Sequence, residues 1–579
     1  MEKIHARATC RLGIVQSLPL IERLLTRWPS LPKGIAAPLS LITLVLWTGA
    51  MVLVVRKASE QTALALTSDL AAYGERARWS GIYYRGEKIG FSVSQMTERP
   101  EGGFKLQEDG QMIITLMGDS IASKLKTEVN VDAQYSLQDF SFSLDPGTGP
   151  IAIKGSLENP TRLLIKVASP GGGERSRTID LKEPPVLSLN LPKRILAMGL
   201  TEGARHQIQI FDPATLTNGM ATIEIGKREV VRILDRPMPA FKMQMTYAGI
   251  TATSWITEVG EIVKEESTMG MVVIRESRER ATALAMSSEI KADMIETAAI
   301  QPDTKRNIED AAGLERLRLE FSGAELPGTP DELNGAGQTV TGNVVEIVDP
   351  RNLRAGPIPD DLQAALMSEP FIESDAPEII AETAKALERV GENATARKKA
   401  ELLVRYVNAV LEKKPTMSIP SAVEVLRTRV GDCNEHTALY VAMARAAKIP
   451  ARVAIGLVSM RGAFYYHAWP EVFVGDARST TDGKTGVWIP VDPTLNQFPA
   501  DVSHVRMARG GFDRQAAILP LLGRAKIKIL EMVDGPQSDT KPLVGADRTE
   551  LPTLALDLPL PQSKESCWRR PGPRLRPLP

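Results

Sequence analysis

Apolar residues recur at every second position through the first half of this chain and at helical spacing from Ala376 onward. That change of period constrains the fold more than any other feature. Period two sends successive side chains to opposite faces of a strand, so the first half must build antiparallel sheet with one face buried and one wet. The longer period calls for helices laid on a core by an apolar stripe. A single hydrophobic core does not extend over 579 residues, so the pattern predicts an α+β protein of two or three domains.

The β-rich part is expected over residues 79–290. It opens with SGIYYRGEKIGFSVSQM, in which Arg85 to Lys88 form a hairpin turn. Leu125, Thr127, Val129, Val131, Ala133 and Tyr135 then alternate, and Phe140, Phe142 and Leu144 repeat the pattern. TRLLIKVASP, RHQIQIFD, MATIEIGKREVVRIL and SWITEVGEIVKEES continue it between Gly-, Pro-, Asn- and Asp-rich breaks. No charged or His-rich cluster stands out here, and His206 has no evident partner, so the domain is read as structural or ligand-presenting. Residues 291–375 add a β extension, with strands in ERLRLEFSG and QTVTGNVVEIV, before Pro357, Pro359, Asp360 and Asp361 open a polar linker. PEIIAETAKALERV and ATARKKAELLVRYVNAVLEK follow as two helices, the second with Leu402, Val404, Val407 and Val410 near one face.

Residues 34–55, GIAAPLSLITLVLWTGAMVLVV, carry no charge, and about 20 such residues in a helix cross roughly 30 Å of hydrocarbon. Lys33, Arg56 and Lys57 flank the stretch at headgroup positions, so it is read as a retained single-pass transmembrane helix rather than a cleaved leader. Lys3, Arg7, Arg11, Arg23, Arg27 and Lys33 mark residues 1–33 as the cytoplasmic side. This places the large C-terminal part outside the cytoplasm, on the periplasmic face of an inner membrane. Residues 56–78 read as a polar helical linker and residues 531–579 as a disordered, Pro-rich tail. The 70 basic residues are balanced by 70 acidic ones, which leaves no global field for nucleic acid. Cys10, Cys433 and Cys567 lie too far apart in sequence to suggest a disulfide framework or a paired-cysteine metal site.

Cys433 alone falls within a segment that reads as folded. In SAVEVLRTRVGDCNEHTALYVAMARAAKIPARVAIGLV a helix, a Gly-Asp turn, the cysteine, a second helix and a strand follow in order. Asp432 is the expected N-cap, and Leu439, Met443 and Ala446 or Ala447 the buried face before Pro450. A thiol at a helix N-terminus feels the positive end of the macrodipole, which favours the thiolate, and the Cys433 amide is a candidate oxyanion donor. Downstream, FYYHAWPEVFV carries His467 on a strand, and GVWIPVDPTLNQF carries Asp492 at the end of another. An imidazole that takes the thiol proton, itself fixed by a carboxylate, is the set that thiol catalysis requires. Glu435 and His436 adjoin Cys433 but diverge around the helix, so no metal site is expected there. Trp469 and Trp488 read as core or cleft wall, Arg452 as an ion-pair partner, and His504 as a packing or surface residue.

GDCNEHTALYVAMARAAKIPARVAIGL, YHAWPEVFV and WIPVDPTLNQFPADVSHVRM together resemble the bacterial transglutaminase-like superfamily over roughly residues 376–515. The resemblance implies a papain-like transglutaminase core within residues 376–530, with the helix-borne Cys433 against an antiparallel sheet. It also implies thiol acyl transfer by Cys433, His467 and Asp492 on a protein or peptide amide. The inserted GDARSTTDGKTG departs from the family pattern as an enlarged loop between the His and Asp strands. No calcium loop, cofactor or metal site is expected. Water as acyl acceptor makes the enzyme a peptidase or amidase, and a lysine amine makes it a cross-linking transglutaminase. The alternative from another class is a non-catalytic assembly protein, whose β domain grips a partner beside a relic papain-like domain.

Overall fold

The computed structural model describes residues 70–535 apart from short internal stretches, of which 284–292 and 476–484 are the longest. The N-terminal segment, the 34–55 span, most of the 56–78 linker, the centre of the enlarged loop and the 531–579 tail beyond 535 lie outside the described residues, while 531–534 belong to a strand and not to a disordered tail. Among the described residues no helix is long and apolar enough to cross a membrane. The chain divides into two compact units, Met1–Asp293 and Met294–Pro579.

The first unit is built on one 14-stranded sheet whose neighbouring strands are antiparallel. Its strands run outward in sequence from Arg78–Tyr84 to Gly173–Asp180. They resume at the opposite edge with Arg205–Asp212 and return inward to Met271–Glu276, which pairs with Arg78–Tyr84. The first and last strands therefore meet inside the sheet. The opening hairpin turns on Arg85 and Gly86 alone, both at positive φ, while Glu87 and Lys88 already pair with Tyr84 and Tyr83. Alternation in the 125–135 run stops at Val131, short of the expected Tyr135. Asp132 there takes the amides of Gln134 and Ser136 at 2.8 and 2.9 Å and turns the chain, leaving Ala133 exposed. Thr127, Val129 and Val131 are buried with Phe140 and Phe142, as period two requires.

In the second unit, Leu314–Ser322, Lys526–Asp534 and Val344–Val348 form the middle of one five-stranded sheet. QTVTGNVVEIV is not one strand but a hairpin, Gln338–Thr341 with Val344–Val348. The second sheet holds β1 (Ala451–Met460), β2 (Ala463–Gly475), β3 (Thr485–Pro490) and β4 (His504–Gly510) in the order β3, β2, β1, β4. Gly356–Pro357, expected in a polar linker, adds an edge strand to β3. The four longer α-helices of the unit are α1 (Pro377–Leu387), α2 (Ala396–Val410), α3 (Ala422–Thr428) and α4 (Cys433–Ala446). The buried stripe of α2 is Ala400, Leu403, Val404 and Val407, with Leu402 and Val410 at its margins.

Helix α4 is buried on all sides from Glu435 to Arg445, not on the one face expected. It packs against α1, α2, α3, β1 and β2, and its small Ala438, Ala442 and Ala444 permit close approach from several directions. Buried polar bonds lock it in place. Thr437 Oγ1 donates to Ala468 O at 3.1 Å, Tyr440 hydroxyl to Ala400 O at 3.0 Å, and Arg445 Nε to Ala451 O at 2.9 Å.

Candidate active site

The cysteine is placed by the turn before it. Arg429 ends α3 in the left-handed region, and Asp432 caps α4 through a reciprocal box. Its carboxylate accepts the Asn434 amide at 2.9 Å, while its own amide donates to Glu435 Oε2 at 2.9 Å. Glu435 folds back over Gly431 so closely that a Cβ there would overlap the Glu435 side chain. The Gly-Asp-Cys sequence thus has a steric reason for its glycine. Cys433 is a half-buried free thiol at the first position of α4. Its sulfur meets the backbone amide of Ala468, the residue after His467 on β2, and that donor favours the thiolate.

His467 is buried on β2, and Asp492 is fully buried two residues beyond the end of β3. His467 Nε2 lies 2.7 Å from Asp492 Oδ2. Asp492 Oδ1 accepts the Leu495 amide at 2.9 Å. A neutral imidazole that donates through Nε2 keeps its lone pair on Nδ1, so Asp492 fixes the His467 tautomer that can accept a proton. The three residues singled out in the sequence therefore come together through one helix N-terminus, one strand and one strand end. His504, expected in packing or at the surface, joins them at the start of β4. It is buried, and its Nε2 lies 3.0 Å from the same Asp492 Oδ2.

Burial works against the charge on Asp492, but His467 and His504 outweigh it and hold the carboxyl well below the usual range. Burial likewise disfavours His504 as a cation, yet its bonds to Asp492 and Asp501 push it up to about 9. The thiol departs from the expected poise. Burial, then the Asp432 carboxylate, raise Cys433 well above the ordinary thiol range, overriding the Ala468 amide and the helix end. Asp432 itself is pushed up by burial and by Glu435. Both effects disfavour the thiolate, so a base that takes the thiol proton is the group this arrangement calls for.

His467, Asp492 and His504 place one ligand atom each within 4.8 Å of one another. Both Nε2 atoms already share Asp492 Oδ2 as hydrogen-bond partner, and a cation would have to displace both protons from a buried site. Hydrogen bonding accounts for the cluster. His436 Nδ1 sits 2.7 Å from Asp432 O, and burial holds that ring below the usual imidazole range. Tyr466 hydroxyl and Gln515 Nε2 each donate to Asn434 Oδ1 at 3.0 Å, beside Cys433. Trp469 stacks on His467 with ring centres 6.0 Å apart and meets His504 edge-on at 5.1 Å. Arg452 pairs with the buried Glu471 at 2.8 Å and lies 3.8 Å over the Trp488 ring. Arg506 holds the other oxygen of Glu471. Burial raises that carboxyl, but Arg506 and Arg452 prevail and hold it at about 2.

The model of the transglutaminase-like superfamily matches residues 383–493, which include Cys433, His467 and Asp492. Among solved structures, the chain is similar to a β-barrel-like protein of a domain of unknown function from Brucella abortus, at 12% identity over 35% of this chain and 96% of that one, with a TM-score of 0.28. It is also similar to a "putative cysteine protease" from Cytophaga hutchinsonii, at 18% identity over 37% of this chain and 83% of that one, with a TM-score of 0.24. At these TM-scores neither likeness bears on what the chain does. No curated protein matches it.

Proposed function

We propose, on the premise that residues 383–493 form a transglutaminase-like core, that this chain is a cysteine enzyme that opens protein or peptide amides through a Cys433 thioester and hydrolyses the product. The observation that carries this reading is the buried 2.7 Å bond between His467 and Asp492, one residue from the Ala468 amide that meets the Cys433 sulfur. His467 Nδ1 takes the thiol proton as sulfur attacks the amide carbon, forming the C–S bond and pushing the carbonyl electrons onto oxygen. The Cys433 amide, outside the capping box, is the donor assigned to that oxygen. The C–N bond breaks as His467 returns its proton to the departing amine. Water then attacks the thioester, giving its proton to His467, and the thiol leaves with that proton restored.

We further read residues 34–55 as a single-pass anchor at the inner membrane, with the catalytic part outside the cytoplasm; protease accessibility in intact cells tests that topology. The activity test incubates wild type and Cys433→Ala with a glutamine-containing peptide, with and without a labelled primary amine. Cys433-dependent release without incorporation is the expected result. Incorporation of the amine would make the protein a cross-linking transglutaminase. If no turnover depends on Cys433 and it alkylates no faster than a model thiol at any pH, the non-catalytic binding role replaces this reading.

A further inference from the structure

His504 faces acceptors on both ring nitrogens. Nε2 lies 3.0 Å from Asp492 Oδ2, and Nδ1 lies 3.2 Å from the Asp501 carbonyl and 3.5 Å from its Oδ1. Asp501 in turn accepts the Gln497 side-chain amide at 2.8 Å and the Ser503 amide at 3.0 Å, a set of donors that suits an ionised carboxylate. A neutral imidazole has one N–H and would set a lone pair against an oxygen on one side. Carrying both protons satisfies every neighbour. The ring is buried, with Trp469 edge-on at 5.1 Å and His467 5.7 Å away, so its charge is little screened by solvent. Asp492, Asp501 and His467 are the titratable groups that face it.

We propose that His504 is an imidazolium that acts as a positioning residue for the reacting set, clamped between Asp501 and Asp492 and holding the same carboxylate oxygen that orients His467. This rests on the reading of Cys433 and His467 as nucleophile and base. Asp492 then serves two histidines with one oxygen. His467 takes its direction from that oxygen, and His504 supplies the positive charge that keeps the carboxylate ionised in a buried place. The charge also acts on the Cys433 and His467 pair. A positive charge near the thiol favours the thiolate over the thiol, so the cation lowers the pH at which Cys433 ionises.

Two measurements on the full chain test this. With only five histidines in the chain, nitrogen-15 labelling of histidine allows the His504 ring to be assigned by substitution. Both ring nitrogens should be protonated at pH 7.5, with the proton lost only near the value of about 9 given by its two carboxylate partners. A neutral His504 at pH 7.5 overturns the proposal, and this readout on wild type needs no variant to fold. The second measurement is the pH profile of Cys433 alkylation by iodoacetamide in wild type, His504→Gln and His504→Leu. Glutamine keeps a donor and loses the charge, so its profile should move to higher pH by about one unit. Leucine loses both, and its maximal rate should also fall about tenfold or more. Unchanged profiles in folded variants would reduce His504 to a packing residue. Peptide turnover by wild type no greater than by Cys433→Ala would instead sink the reading of Cys433 as nucleophile.

Discussion

Asp492 carries the heaviest demand of any single residue in the site, since one buried carboxylate accepts from His467, His504 and the Leu495 amide. Asp492→Asn keeps the shape but removes the charge and sets an amide among N–H donors, so the His467 tautomer is no longer enforced. Cys433-dependent turnover should fall by about 10³-fold with little change in KM, as read from steady-state kinetics on the peptide substrate. Cys433, His467 and Asp492 were legible in the sequence because each sits in a short local pattern: a capped helix start, an apolar strand, a strand end before proline. His504 was not, because its partner Asp492 is brought to it by folding and nothing local announces the bond. The direction in which the Cys433 thiol is pushed is equally hidden. A helix start promises a lowered thiol, and only the packed structure reveals that burial and the adjacent Asp432 push the other way.

Among the elements, α4 shows why period alone misjudged part of the fold. Its spacing predicts one buried stripe, but its Ala-rich surface lies in the middle of the unit, where every face is a packing face. The stripe on α2 keeps Val404 and Val407 but has Leu403 and Ala400 in place of Leu402 and Val410, because Leu402 and Leu403 are chemically alike and only contact with the core distinguishes them. Turns were better marked, although Asp132 ended its strand four residues before the alternation did. The start of α4 is the element most exposed to a single substitution. Gly431→Ala must displace Glu435 from the capping box or shift the Gly-Asp-Cys backbone. A loss of about 1–3 kcal/mol is expected in urea unfolding, together with slower Cys433 alkylation, and unaltered stability would mean that the turn relaxes freely.

Across the whole molecule, the second unit keeps one core around α4, while the buried residues of the first gather in several smaller clusters along its sheet. The change of period at Ala376 does not mark that division but falls within the second unit, after the strands Leu314–Ser322 and Val344–Val348, and the pairing of strands far apart in sequence is beyond its reach. In the second unit the buried Glu471 ties β2 to Arg452 on β1 and Arg506 on β4. Glu471→Gln leaves Arg506 without its charge partner in a buried place and should cost about 3–5 kcal/mol at neutral pH, measured as a lowered urea midpoint of that unit. The folded carboxyl is held at about 2, below its unfolded value, so its contribution is full above roughly pH 4 and fades as the pH falls towards 2. Wild type and variant should therefore converge in stability over that acid window, and a constant gap would remove the charge from the explanation. In the first unit, the strands Arg78–Tyr84 and Met271–Glu276 enter and leave the sheet side by side, with Trp79 opposite Glu276. A pull on the two ends of that unit would load this ladder from its outermost rung, one hydrogen-bonded pair at a time, as a zip is opened. Lys88, which holds Glu276 and the Arg280 carbonyl from the neighbouring strand, would share that load, so the unit meets tension first at the line where its sheet begins and ends.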